Sequence, residues 1–259
     1  MLFVWAGRPR KDWTTFLLLL RSCLRRRMRR DLLAGVAAAA WFGPAAAPVV
    51  PPVAAAFRIP RTLPGLSGVA LTFDDGPHRQ GTPATLEALR AQRAVATFFL
   101  VGEQVERHRT LAAEIVAAGH AIGVHGYRHT LLLRRSPGAV RDDLRRALDV
   151  IGSATGTEPS LYRPPYGVFS GPALLHVRRL GWRPLLWSRW GRDWEAGATP
   201  EGIAARATRE LGSGDVVLLH DADHYSSADS WRRTVAALPL VLEAAAAAEL
   251  PLVAASQST

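Results

Sequence analysis

Two adjacent carboxylates, Asp74 and Asp75, close the apolar run from Val69 to Phe73 and are followed at once by Gly76-Pro77. Gly and Pro stop a strand and turn the backbone, so both acids are expected at the carboxyl end of a buried strand. That is the edge where α/β folds place ligands and catalysis. Side chains alternate faces along a strand, so the pair can divide its work, one binding a cation and the other moving protons. Taken alone, the same four residues also fit a solvated turn. His125 and His129 stand four apart in His125-Gly126-Tyr127-Arg128-His129. They share a face if that segment turns helically. With the Asp75 carboxylate the two imidazoles make a ligand set for a catalytic zinc, with positions left open for water and substrate.

Three further segments carry chemistry. Arg163-Pro164-Pro165-Tyr166-Gly167 offers a guanidinium that can hold a carboxylate ionised. Its prolines lack N–H groups, so the few remaining amides are available to an oxyanion. Asp193-Trp194 supplies an acid expected to pair with Arg163 and an apolar wall. Trp187, Trp190 and Trp194 have a spacing suited to sugar stacking, although burial in a core is the commoner fate of Trp. Val216 to Leu219 ends in His220, placed to act as a general acid.

Alternating elements must position these groups. Strands are expected at Val69–Phe73, Ala96–Gly102, Ala121–Val124, Leu161–Arg163, Pro184–Trp187, Asp215–Leu219 and Leu250–Ala254. Helical spacing fills the gaps: 82–93, 110–118, 137–153, 172–180, 200–211 and 231–248. One face of the 137–153 helix is set by Val140, Leu144, Ala147, Leu148 and Ile151. Strand–helix alternation requires parallel strands with crossover helices, hence an open doubly wound sheet or a barrel. No Gly-x-Gly-x-x-Gly follows a strand.

The formal net charge of +10 does not mark a nucleic-acid binder. Residues 1–31 hold nine Lys/Arg against Asp12 and Asp31, so the remainder is close to neutral. The apolar run Trp13–Leu20 is too short to span a bilayer, and the basic block Arg25–Arg30 then precedes an uncharged stretch from Leu32 to Phe57. This resembles a secretory signal ending near Ala45-Ala46-Ala47, with Met28 as a possible start, or an uncleaved anchor. Residues 1–47 are therefore expected to be an export or membrane-anchor region, 48–66 a Pro-rich linker and 67–259 the catalytic body. A chain begun near Phe57 is expected to fold. The single Cys23 lies in the head, so the body has no internal disulfide and no Cys-ligated metal.

Taken together, Thr72-Phe73-Asp74-Asp75-Gly76-Pro77, His125-x-x-x-His129, Arg163-Pro164-Pro165-Tyr166-Gly167, Asp193-Trp194 and Leu218-x-His220 resemble, in order, the motifs of the polysaccharide deacetylase family. This is the NodB-homology or family 4 carbohydrate esterase domain, and the resemblance covers about residues 67–256. It implies a distorted (β/α)7 barrel of parallel strands and a metal-dependent deacetylase acting on N-acetylated sugars of an extracytoplasmic polysaccharide. An O-acetyl esterase and a non-catalytic glycan-binding barrel are the alternatives. It also implies roles. Asp74 resembles the catalytic base, and Asp75, His125 and His129 the ligands of one divalent metal, zinc. Arg163 looks like the residue orienting the base, with Asp193 as its partner. The Tyr166 N–H looks like the oxyanion donor and His220 the acid. Leu218, Trp194 and Pro165 look like the substrate wall. The expected partner is a polysaccharide, bound by a monomer with no nucleic acid, secreted or held at a membrane by the N-terminal segment. Three positions depart from the family pattern or stand out against it. Gly126 replaces a Ser or Thr, so a hydrogen bond behind the metal ligands is expected to be missing. Trp190 replaces an acid, and Arg128 lies between the two histidine ligands.

Overall fold

A computed structural model describes residues 13–257; the start of the basic head, Met1–Asp12, lies outside the described residues. The chain divides into two compact units, residues 1–41 and 42–259. Most of the first is one helix, α1 (Trp13–Phe42), which carries both the basic block and the start of the uncharged stretch. Among the described residues, no helix is long and apolar enough to cross a membrane.

The second unit is an α/β domain. Its strands are β1 (Ala70–Asp74), β2 (Thr97–Leu100), β3 (Ala121–Val124), β4 (Leu161–Tyr162), β5 (Arg183–Pro184), β6 (Arg189–Trp190) and β7 (Val216–His220). Its helices are α2 (Pro51–Ala56), α3 (Gly81–Ala91), α4 (Gly102–Arg107), α5 (Arg109–Ala117), α6 (Pro137–Thr155), α7 (Gly171–Arg179), α8 (Pro200–Ala207) and α9 (Ser230–Ala247). All strands pair in parallel, in the order β5-β4-β3-β2-β1-β7-β6. The interior strand β1 is buried along its whole length, as expected of a strand covered on both faces. α6 starts where Ser136 accepts the Ala139 N–H, stops at Gly156 in a left-handed conformation, and buries Val140, Leu144, Ala147, Val150 and Ile151.

Chain connectivity forces the sheet to curl. β5 and β6 are opposite edges of the sheet, yet only residues 185–188 separate them. Five Cα steps reach at most about 18 Å. A flat sheet of this order would hold its edge strands roughly 29 Å apart at ~4.8 Å per strand. The result is a half-barrel whose carboxyl edge gathers the loops after β1, β3, β4, β6 and β7.

The seven strands are not the expected seven. Leu250–Ala254 forms no strand; Leu252 makes one bridge to Val69. The reason is that β1 is already paired on both sides, by β2 and β7, so the C-terminal segment meets only the residue before it. The seventh place is taken by β6, part of a stretch expected to be irregular. The chain enters it by leaving the sheet after Pro184, short of the strand end expected at Trp187.

The Pro-rich segment is also not a linker. It forms α2, and Ala54, Ile59 and Leu63 are buried in the main core, as is Ala47 just ahead of it. Leu63 N–H donates to Gly214 O at 2.8 Å and Leu186 N–H to Pro60 O at 2.9 Å, which ties the segment to the domain. Small apolar residues between prolines pack closely without side-chain entropy cost. A chain begun at Phe42 is therefore expected to keep the parent's stability. One begun at Phe57, which loses Ala47, Ala54 and the partly buried Val53, is expected to lose about 2–4 kcal/mol at ~0.8 kcal/mol per buried methyl or methylene. Urea unfolding of the two truncations checks this.

Candidate active site

Asp74 is the last residue of β1, in register with His220 at the end of β7. Thr72 lies two residues back on the same face of the strand. Asp75 has already left the strand, with φ 78°, a left-handed conformation that Asp tolerates better than most residues. The alternation of strand faces therefore does not separate the two acids, and both carboxylates line one cleft. His125 continues from β3, its N–H donating to Leu100 O at 2.9 Å. The segment to His129 is a loop rather than a helical turn, opened by Gly126 at φ 90°. It still brings the two imidazoles together, with ring centroids 5.3 Å apart.

Their Nε2 atoms converge on one oxygen. Asp75 Oδ1 lies 3.4 Å from His125 Nε2 and 3.3 Å from His129 Nε2. A tetrahedral ion with bonds of about 2.0–2.1 Å needs donor atoms roughly 3.3–3.4 Å apart, so the three residues fit such an ion. His125 is fixed from behind, its Nδ1 2.8 Å from Arg163 O, which leaves Nε2 with a lone pair toward the cleft. Asp75 Oδ1 is buried without a hydrogen-bond partner. Burial raises the Asp75 carboxyl, but the imidazoles of His125, His220 and His129 gathered around it outweigh burial and hold it well below the usual carboxylate range. Burial lowers His129 to about 4 against the opposing pull of Asp75, so this ring is neutral at pH 7 and free to donate its lone pair.

Arg163 is fully buried beneath the site. Its guanidinium donates to Asp74 Oδ1 at 2.7 Å and Thr72 Oγ1 at 2.9 Å, and to the carbonyls of Leu185 and Leu186 at 3.0 Å each. Asp74 is thereby held by one oxygen, leaving Oδ2 toward the cleft. Asp193 does not pair with Arg163. It accepts His220 Nδ1 at 2.9 Å, His220 N–H at 2.6 Å and Thr234 Oγ1 at 2.7 Å. The sheet order explains this correction: Asp193 follows β6, which neighbours β7, whereas Arg163 follows β4 on the other side of β1. Burial pulls His220 down, but the charge and hydrogen bond of Asp193, with Asp75 and Asp74 beyond, raise it to about 10.

The cleft measures about 370 Å³, within the usual range for small-ligand pockets. Tyr166, Leu218 and Trp194 line it, together with Gly167, Trp187, Trp190, Tyr225 and Ser226. Pro165 is buried and does not line it. Tyr166 has φ 60° and ψ 6° and is 56% exposed, a strained turn at the cleft mouth. Trp187 is packed away at 4% exposed; Trp190 and Trp194 form the open part of the aromatic wall. Tyr225 carried no sequence signal. It stacks on His129 at 4.1 Å and 10°, and its hydroxyl bonds Gln104 Nε2 and Glu103 Oε1 at 2.9 Å each. A second His/Asp/His group, His78, Asp223 and His224, lies beside the cleft. His78 Nδ1 accepts the Gly81 N–H at 2.8 Å, so its proton sits on Nε2, facing Asp223. With Nδ1 accepting and Nε2 protonated, the neutral His78 ring has no lone pair left for an ion.

Paired acids, two convergent imidazoles and a carboxylate-backed histidine at the carboxyl edge of a half-barrel can activate water, stabilise a developing oxyanion and protonate a leaving group, which is the equipment of an acyl hydrolase. The sequence profile of the family described as polysaccharide deacetylase matches residues 65–185. A peptidoglycan-N-acetylglucosamine deacetylase of Bacillus cereus is 35% identical over 176 residues, 67% of this chain and 79% of that protein. A chitooligosaccharide deacetylase of Azorhizobium caulinodans is 34% identical, over 69% of this chain and 88% of that one. A family 4 carbohydrate esterase from Streptomyces lividans, solved with acetate, superposes with a TM-score of 0.65 at 30% identity, covering 73% of this chain and 93% of that one. The chain belongs to the polysaccharide deacetylase family and is a polysaccharide deacetylase; family members are metalloenzymes.

Proposed function

We propose that this deacetylase is zinc-dependent and removes the acetyl group from N-acetylglucosamine units of an extracytoplasmic glycan. The observation that carries the metal is the approach of Asp75 Oδ1 to both Nε2 atoms, at 3.4 and 3.3 Å, in a buried site. A zinc ion held by Asp75, His125 and His129 supplies Lewis acidity to water and to the acetamide carbonyl. The chain does the rest. Asp74, fixed through Oδ1 by Arg163, accepts the proton of the attacking water at Oδ2. The Tyr166 N–H donates to the oxygen that gains charge. His220, its Nδ1 held by Asp193, gives its Nε2 proton to the departing sugar nitrogen, releasing amine and acetate. Leu218 faces the acetyl methyl, and Trp190, Trp194 and Tyr166 offer apolar faces to the sugar.

The relatives named above act on peptidoglycan and on chitooligosaccharide, which supports an N-acetylglucosamine glycan. The basic block before an uncharged stretch supports export, with residues ahead of the folded unit serving as signal or membrane-associated region. Acetate release from chitooligosaccharides, peptidoglycan and acetylxylan, measured after chelation and again with zinc restored, tests substrate and metal together. Zinc-restored turnover on the N-acetylated glycans is expected. Full turnover after chelation, or turnover on acetylxylan alone, would contradict the proposal. Cell fractionation checks location: full-length, unprocessed protein in the soluble cytoplasm would refute export.

A further inference from the structure

The loop between the two histidines is short, and its middle amides are not bonded within it. The Tyr127 N–H donates to Asp143 Oδ2 at 2.8 Å and the Arg128 N–H to Asp143 Oδ1 at 3.3 Å. Asp143 belongs to α6, whose packed face fixes it to the core, and its side chain is 8% exposed. From the other side, the N-terminus of α4 holds the carbonyls: Gly102 N–H to Gly126 O at 2.9 Å and Glu103 N–H to Tyr127 O at 2.8 Å. The Tyr127 side chain is pinned by its hydroxyl on Glu106 at 2.7 Å and by Arg146, 4.0 Å from its ring. Gly126 itself, at φ 90°, sits where a Cβ would lie 3.1 Å from Arg128 O and 3.4 Å from Asp143 Oδ2. A Ser or Thr here would be strained and would crowd the carboxylate.

We infer that Asp143 is the residue that positions the His125–His129 loop for cation binding, in place of the hydroxyl that Gly126 lacks. Both oxygens of one buried carboxylate hold the two amides midway between the ligands, so the loop keeps both Nε2 atoms on Asp75 before any ion arrives. Asn at this position keeps one acceptor oxygen, but its amide group faces an N–H and cannot accept it. The ligands remain, and their preorganisation is lost.

This inference rests on the reading that Asp75, His125 and His129 hold zinc, and the test separates the two. Full-length protein is stripped with a chelator, and zinc is titrated back against a competing indicator. The parent is expected to bind one zinc. Asp143→Asn is expected to bind it about 10–100-fold more weakly, the usual effect of losing a residue that orients metal ligands. Its kcat is expected to recover once zinc saturates, and the melting temperature of its metal-free form to stay near the parent's. Asp142→Asn, on the exposed face of the same helix, is expected to bind zinc as the parent does. If Asp143→Asn does not fold, Asp143→Glu carries the same comparison, with an intermediate loss expected because the charge is kept. A folded Asp143 variant with parental zinc affinity overturns the inference, leaving Asp143 as a structural tie between loop and helix. A parent that binds no zinc overturns the metal reading itself.

Discussion

Asp75→Asn is expected to lose zinc and activity together, while Asp74→Asn keeps its zinc and turns over about 10²–10⁴-fold more slowly, the usual size of a general-base contribution. The geometry breaks the symmetry of the pair. Asp75 Oδ1 lies between both imidazoles, whereas Asp74 commits Oδ1 to Arg163 and approaches only His125, at 3.8 Å through Oδ2. A neutral amide at position 75 removes the one negative charge among the three donors. A neutral amide at position 74 leaves all three donors in place and removes only the proton acceptor. The amide oxygen of the Asp74→Asn variant can still accept from Arg163, which also keeps Thr72 and two carbonyls, so the buried guanidinium is not stranded. Stability is expected to fall well short of the roughly 3–5 kcal/mol that follows when a buried charge loses its partner outright. Zinc stoichiometry and single-turnover rates for the two variants decide the matter. Zinc lost at Asp74→Asn and kept at Asp75→Asn would reverse the roles.

Much of this site was legible because strand ends announce themselves. Apolar runs stopped by Gly-Pro, Pro-Pro or a polar pair located Asp74, Asp75, His125, Arg163 and His220, and parallel topology then required that they share an edge. The order of strands was not legible, and the partner of Asp193 was missed for that reason. Only the placement of β6 beside β7 puts Asp193 behind His220. β6 itself is two residues long, too short for any periodicity, while Leu250–Ala254 had the composition of a strand but no free neighbour to pair with. Tyr225 and Asp143 were invisible for another reason. Each acts across the fold on a histidine or its loop, from a loop position and a helix face whose residue types are common on any surface. Thr72 was within reach, since it lies two residues before Asp74 on the same strand face and so had to lie under the site.

Asp193→Asn is expected to cut kcat by about 10²–10⁴-fold and to move the alkaline limb of the kcat/KM profile downward. Burial of His220 favours the neutral ring, and Asp193 chiefly reverses this, so that the imidazolium persists to about 10. The acid form is the one that can protonate the leaving nitrogen, and it is lost as pH rises through that value. Without the charge at position 193, the ring falls toward or below its ordinary value of about 6.5. The acid is then largely unprotonated in the neutral range. A cation held by Asp75 opposes protonation in parent and variant alike, so the difference between the two profiles survives it. The substitution also weakens the hold on His220 Nδ1, leaving Nε2 less well aimed. The same shift has a stability consequence. A group whose folded pKa is raised contributes fully below its unfolded value, about 6.5, and loses that contribution as pH rises through its folded value. Urea unfolding is therefore expected to show the largest gap between parent and Asp193→Asn near pH 6 and a smaller one near pH 10, both values set by this pKa window. An alkaline limb unmoved by the substitution would mean that His220 is not the acid, or that Asp193 does not govern its proton.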